Sequence, residues 1–208
     1  MRVSIVLLLL SGGCSNPPPA PASRFGVSFT SRNNTHLNLD SLPIEDYPAL
    51  KKFHKLREVQ YGTATDEKME ALANVGLTNL RSASLNGSSY ISDRGIEALA
   101  QIRFMDSLGL EGTAITDRGV DLIAKRMHPR GVNVAACTKV TVDGLLKLAQ
   151  SETMESLSFS VGEMMQADLI RLIHAAAPQL VRMDIDMVES TERRLDFPAL
   201  RREAEEKR

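Results

Sequence analysis

The chain has 208 residues, enough for one sizeable core or two small ones. Its 25 Lys and Arg balance 26 Asp and Glu to a formal charge of −1, which gives no net pull toward nucleic acid or anionic lipid. An apolar content of 43% argues against disorder over the whole chain, 4% aromatics with no Trp argue against a stacking platform for bases or sugars, and two cysteines exclude a disulfide framework or a cysteine zinc cluster.

Arg2 precedes an apolar run from Val3 to Leu10. Eight residues are too few to cross a bilayer, which needs about 20, but they suit the apolar region of a signal peptide. Ser11-Gly12-Gly13-Cys14 comes next. Small residues leading into a cysteine resemble the lipobox of bacterial lipoproteins, with Ser11 where that family usually has Leu. The resemblance implies a signal peptide over residues 1–13, cleavage before Cys14, and a diacylglyceryl group on the Cys14 thiol. The expected location is the bacterial cell envelope, lipid-anchored to a membrane. The alternative is an ordinary secretory signal cut after Ala20-Pro21-Ala22, giving a soluble secreted or periplasmic protein. Residues 14–24 then hold the anchor cysteine and a spacer. Four prolines between Ser15 and Ser23 favour extended polyproline II. At roughly 3.1 Å per residue this spacer could hold a domain ~28 Å from a membrane.

Residues 25–55 contain Leu37, Leu39, Leu42, Ile44, Leu50 and Phe53, with Pro43 and Pro48 breaking regularity, and are expected to cap the first repeat. From residue 56 to 187 the chain repeats. Leu80 to Ala100, Met105 to Ala124 and Arg130 to Ala149 share one plan. Two apolar residues stand two apart; then come a polar stretch, an apolar residue, Ser or Thr, Asp and Gly; an apolar helical pattern ends the unit. The second strand residue falls at Tyr61, Leu85, Leu110, Val134, Phe159 and Ile185, at intervals of 24, 25, 24, 25 and 26. The leading apolar residue of the helix falls at Met69, Ile96, Val120, Leu145 and Leu169, in step with it.

Alternation puts Leu108 and Leu110 on one strand face, and three-residue spacing puts Val120 and Ile123 on one helix face. One unit cannot bury its apolar side alone, so neighbours must stack. Ser92, Thr116 and Thr141 are candidate helix N-caps, and Asp93, Asp117 and Asp143 sit where a helix dipole favours negative charge. Gly95, Gly119 and Gly144 recur at the same period, which predicts a neighbouring backbone too close for a Cβ. Cys137 shares a column with Thr113 and Ser88 and is expected to be a small buried residue.

This pattern resembles the leucine-rich repeat family, most closely its cysteine-containing subtype. Leu108, Leu110, Thr113, Ile115, Thr116, Asp117, Gly119, Val120 and Ile123 carry the match in one unit. Val132, Val134, Cys137, Val140, Thr141, Asp143, Gly144, Leu145 and Leu148 carry it in the next, where Val142 intrudes. The resemblance implies an α/β leucine-rich-repeat solenoid: a right-handed arc with parallel strands on the concave face and helices on the convex face. Residues 188–208, with acids and bases in balance, are expected to form a short capping helix and a solvated charged tail.

No catalytic site, metal site or cofactor is expected. His36, His54, His128 and His174 lie at no metal-ligand spacing, and no nucleophile elbow, phosphate loop or His-Glu-x-x-His is present. The family usually binds through the concave face. Alternation puts Glu58, Gln60 and Gly62 there, then Ser82, Ser84 and Asn86, then Ser107, Gly109 and Glu111. Gly131, Asn133 and Ala135 come after them, then Ser156, Ser158 and Ser160, and last Arg182, Asp184 and Asp186. The partner-contacting candidates are Gln60, Ser84, Asn86, Glu111, Asn133, Ser158, Arg182 and Asp184. The expected function is non-catalytic binding of another protein by a monomer tethered through the lipid on Cys14, with no nucleic acid involved. A structural envelope protein without a specific ligand, its polar face merely solvated, is the alternative; an enzyme with an unrecognised site is a third reading.

Overall fold

Short strands form where one apolar residue sits between small or polar ones, as in Ser82-Ala83-Ser84 and Ser107-Leu108-Gly109. The computed structural model describes residues 28–29, 35–102, 105–160, 166–186 and 192–196. Nine strands lie in one sheet in chain order. They are β1 (Ser28–Phe29), β2 (His36–Asn38), β3 (Glu58–Gln60), β4 (Ser82–Ser84), β5 (Ser107–Gly109), β6 (Gly131–Asn133), β7 (Ser156–Ser160), β8 (Arg182–Asp186) and β9 (Glu192–Asp196). The seven strands β2 to β8 run parallel, and β1 and β9 close the two edges antiparallel. The fold is therefore α/β around a parallel sheet. Over Glu192–Asp196 a strand stands where a capping helix was expected: this charged run has no helical apolar spacing, and the open edge of β8 offers it a full row of backbone partners; the rest of 188–208 lies outside the described residues.

The crossovers are a 3-10 helix, Ile44–Lys52, then α1 (Asp66–Val75), α2 (Asp93–Leu99), α3 (Asp117–Leu122), α4 (Val142–Ala149) and α5 (Gln166–Ala175). Pro48 removes an N–H inside the 3-10 helix, and α3 runs on into a π-helical turn, Ile123–Met127. Central strand residues Val59, Ala83, Leu108, Val132, Leu157 and Met183 meet helix residues such as Met69, Ile96, Val120, Leu145 and Leu172 in one continuous buried core. The sheet thus has one apolar face under the helices and one polar face away from them.

Hydroxyl caps start the helices. Thr65, Ser92 and Thr116 accept from the N–H groups of Lys68, Arg94 and Arg118. A carboxylate from the preceding unit secures each following cap. The Asp93 carboxylate accepts from the Thr116 N–H at 2.8 Å, the Thr116 hydroxyl at 2.6 Å and the Gly119 N–H at 3.0 Å. Asp66 does the same for Ser92 and Gly95. Asp117 holds the Thr141 N–H and hydroxyl, so Thr141 caps α4 without a side-chain bond of its own to the helix. This arrangement corrects the expected reason for the recurring glycines. A Cβ on Gly95, Gly119 or Gly144 would lie under 3.0 Å from Oδ1 of Asp66, Asp93 or Asp117. The excluded volume belongs to a carboxylate, not to a neighbouring backbone. Hydrogen bonds to a charged acceptor contribute about 1.5–3 kcal/mol each when shielded. With Val142 intruding, Asp143 is exposed and instead meets Arg171 at 3.4 Å.

Two further columns run through the units. Ser88, Thr113 and Cys137 are buried, as expected of small residues there. The Ser88 hydroxyl accepts from the Ala64 N–H, while the Thr113 hydroxyl and the Cys137 thiol both donate to the Leu110 carbonyl. Burial pushes the Cys137 thiol above its ordinary pKa, against the opposing effect of Thr113. At the turns after β4, β5 and β6, Gly87, Gly112 and Ala136 take left-handed conformations with φ of 78°, 66° and 53°. Only the third carries a Cβ into that region.

Candidate functional site

The polar face of the sheet is built by register. One row across the parallel strands reads Asn38, Gln60, Ser84, Gly109, Asn133, Ser158 and Asp184. A second reads His36, Glu58, Ser82, Ser107, Gly131, Ser156 and Arg182. With strands about 4.8 Å apart, the seven span roughly 29 Å. Most side chains in both rows are small, so the backbone of the sheet lies close to the surface.

All eight candidate contact residues are exposed or half-buried on this side. Six occupy the rows: Gln60, Ser84, Asn133, Ser158 and Asp184 share the first, and Arg182 ends the second. Asn86 and Glu111 stand beyond the ends of β4 and β5, on the turns. Ala135, expected to face outward with Asn133, is buried: its carbonyl accepts from the Gly112 N–H as that of Glu111 accepts from Gly87, but its single methyl does not reach solvent as the Glu111 side chain does.

Two groups of candidates are joined by hydrogen bonds. The Asn86 side-chain oxygen accepts from the Glu111 N–H at 3.1 Å. The Asn133 amide donates to the Glu111 carboxylate at 3.2 Å, and its oxygen accepts from the Ala135 N–H at 2.9 Å. Gly109 makes room for this chain, since a Cβ there would meet Asn86 Oδ1 at 2.7 Å. At the other end, Arg182 places Nε and a terminal nitrogen on Asp184 Oδ2, both at 2.8 Å, and the Ser158 hydroxyl donates to the same oxygen at 3.4 Å. Gln60 and Ser84 lie between neighbours without a side-chain bond among the described residues. The opposite end of the face is closed by His36 and Glu58, 2.7 Å apart.

These groups offer donors and acceptors on a shallow surface. They do not converge on a point where a reacting atom could sit. A depression of about 570 Å³ lies elsewhere, at the loops after α4 and α5, lined by Gln150, Glu152, Pro178 and Gln179 among others. Among the described residues, no group of three or more His, Cys, Asp or Glu is placed to hold a metal ion. No protein-family model matches the chain, and no curated protein matches it.

Cys14, the expected site of lipid attachment, lies outside the described residues. Among those residues, no helix is long and apolar enough to cross a membrane. Two contributors escaped the sequence reading. Asp66 extends the carboxylate ladder one unit toward the N-terminus, and the Thr65-Asp66 step is its visible signal. Asp40 plays a related part ahead of it, accepting from the N–H groups of Gly62 and Thr63 at 2.7 and 3.0 Å. Burial pushes the Asp40 carboxyl up, but the N–H groups of Thr63 and Gly62, with Asn38 and Lys68, outweigh it and hold the pKa below its usual value.

Proposed function

We propose that the chain is a non-catalytic protein-binding module of the leucine-rich-repeat type, held at the bacterial cell envelope by a lipid on Cys14. Its parallel strands would line the concave side of a right-handed arc and its helices the convex side, each crossover turning in the hand that a right-twisted sheet favours. One observation carries the reading: seven parallel strands in chain order present two rows of polar residues and glycine, small across the middle strands, on a face the helices leave open. Such a surface admits a partner's backbone or short side chains. It offers hydrogen bonds from Ser84, Asn133 and Ser158 and charge from Glu111, Arg182 and Asp184.

The structural-protein reading draws on the same face, because Asn86, Glu111, Asn133, Arg182 and Asp184 already spend hydrogen bonds on one another. Cross-linking in native membranes separates the two. Ser84→Trp and Asn133→Trp should each abolish a specific cross-linked partner, and Tyr90→Ala, altering an exposed ring off this face, should not. Recovery unchanged by either Trp would remove the binding role. The anchor is tested apart from this: Cys14→Ser should abolish the added diacylglyceryl mass, and a native chain of unmodified mass would refute it.

A further inference from the structure

Most cations on the helical side are matched. Arg94, Arg118, Lys147 and Arg171 each reach an acid of the preceding helix, and Arg130 pairs with Glu155. The stretch from Lys51 to Arg57 differs. It holds Lys51, Lys52, Lys55 and Arg57 and no acid. All four are exposed, and none makes an ion pair among the described residues.

The patch stops at Arg57. On the next strand start Arg81 is half-buried and its guanidinium donates to the Thr78 and Leu80 carbonyls at 3.1 and 2.9 Å. The acids nearby are placed apart from it or already engaged. Glu45 and Asp46 begin the 3-10 helix whose last turn holds Lys51 and Lys52, about 10 Å down its axis at ~2 Å per residue. Glu58 is engaged by His36, and Asp106 stands one strand beyond Arg81. A chain of net charge −1 thus carries a concentrated positive field at one corner.

We propose that this patch is an electrostatic docking site for an anionic lipid surface. The proposal deepens the lipid-anchor reading and rests on it for the orientation of the domain. The position of the patch favours a membrane. Ser28 in β1 is where the described chain begins; it pairs with Asn38, level with Gln60, so it lies two strands across the sheet from Arg57 and three residues along it, about 14 Å away in all. Thirteen residues separate Cys14 from Ser28, a tether of at most ~45 Å. Such a tether keeps the N-terminal edge of the sheet, patch included, within reach of the headgroups, where surface potential acts within about 10 Å. Nucleic acid is disfavoured because Phe53, the aromatic within the stretch, packs against the core instead of standing free to stack a base. Docking by strand starts stands the sheet on its edge, with the polar face open sideways to a partner.

The test uses the full chain with Cys14→Ser, so that no lipid is added, with and without Lys51→Gln, Lys52→Gln, Lys55→Gln and Arg57→Gln together. Both chains share residues 1–13, so any apolar insertion of that segment cancels. On vesicles mixing phosphatidylcholine and phosphatidylglycerol, the loss should be about fivefold in partitioning per cation, over a hundredfold in all, and high salt should erase the difference. On phosphatidylcholine alone the two chains should partition alike. Lys139→Gln, on an exposed turn, should change little, and circular dichroism should show all variants folded. Equal partitioning of the two chains on the anionic vesicles overturns the proposal, as does a loss confined to binding of duplex DNA. Failure of the anchor reading is separately visible, as a native chain without the diacylglyceryl mass.

Discussion

Asp93 and Gly119 should be thermodynamically coupled, although they stand in consecutive units. Asp93→Ala removes the acceptor of three hydrogen bonds, from the Thr116 N–H, the Thr116 hydroxyl and the Gly119 N–H. The site is half-buried and water can partly replace the carboxylate, so the cost is about 1 kcal/mol per bond, roughly 2–4 kcal/mol in all. Gly119→Ala in the native chain drives a Cβ against Asp93 Oδ1 and forces the carboxylate away. It should forfeit much of the same energy, about 2–3 kcal/mol, offset in part by the better helix propensity of Ala. In the Asp93→Ala background the obstruction is gone. There Gly119→Ala should stabilise by about 0.5–1 kcal/mol, the ordinary gain of replacing Gly within a helix. The sign of one substitution thus reverses with its neighbour. Urea denaturation followed by circular dichroism reads all four corners of the cycle. Additivity within about 0.5 kcal/mol would refute the argument that the glycine exists to admit the carboxylate.

The geometry sets three other outcomes. Ala136→Gly relieves a left-handed Cβ that Gly87 and Gly112 avoid, and should raise stability by about 1 kcal/mol, roughly 2–4 °C in melting temperature; a lower melting temperature would refute this. Leu110→Ala empties a fully buried position and should cost about 2–5 kcal/mol, whereas Ser107→Ala on the exposed face should cost little; equal costs would mean the sheet faces are reversed. Because the folded Asp40 carboxyl titrates below its unfolded value, its contribution is present above the usual carboxylate range and is lost as pH falls through the lowered folded pKa. Asp40→Ala should therefore flatten the acid limb of stability measured below pH about 4; an unchanged slope would remove Asp40 from the account.

The parallel alternation of strand and helix was legible because two columns, Leu85-Leu110-Val134 and Ile96-Val120-Leu145, keep one spacing and every member is buried. The polar rows were legible for the same reason, since alternate residues of a strand face opposite ways. They failed at Ala135, which shares the column of the exposed Asn86 and Glu111 but has only a methyl group, too short to reach past its neighbours. β9 was hidden because Glu192–Asp196 has no apolar rhythm, and its partner is an edge supplied by residues six to fourteen positions earlier. The period revealed that Gly119 recurs but not why, because the atom excluding its Cβ lies 26 residues earlier in a side chain. The patch at Lys51 to Arg57 was masked by the neutral total, since a sum over the chain carries no information about which charges find partners.

The carboxylate ladder has a direction. Asp66 serves Ser92 and Gly95, Asp93 serves Thr116 and Gly119, and Asp117 serves Thr141, so every acceptor precedes its donors. As the polypeptide leaves the ribosome, each nascent helix finds its anion already installed in the segment before it. Trimming the carboxyl end would orphan none of the ladder's donors upstream, whereas loss of an early unit would strip the carboxylate from its successor's cap.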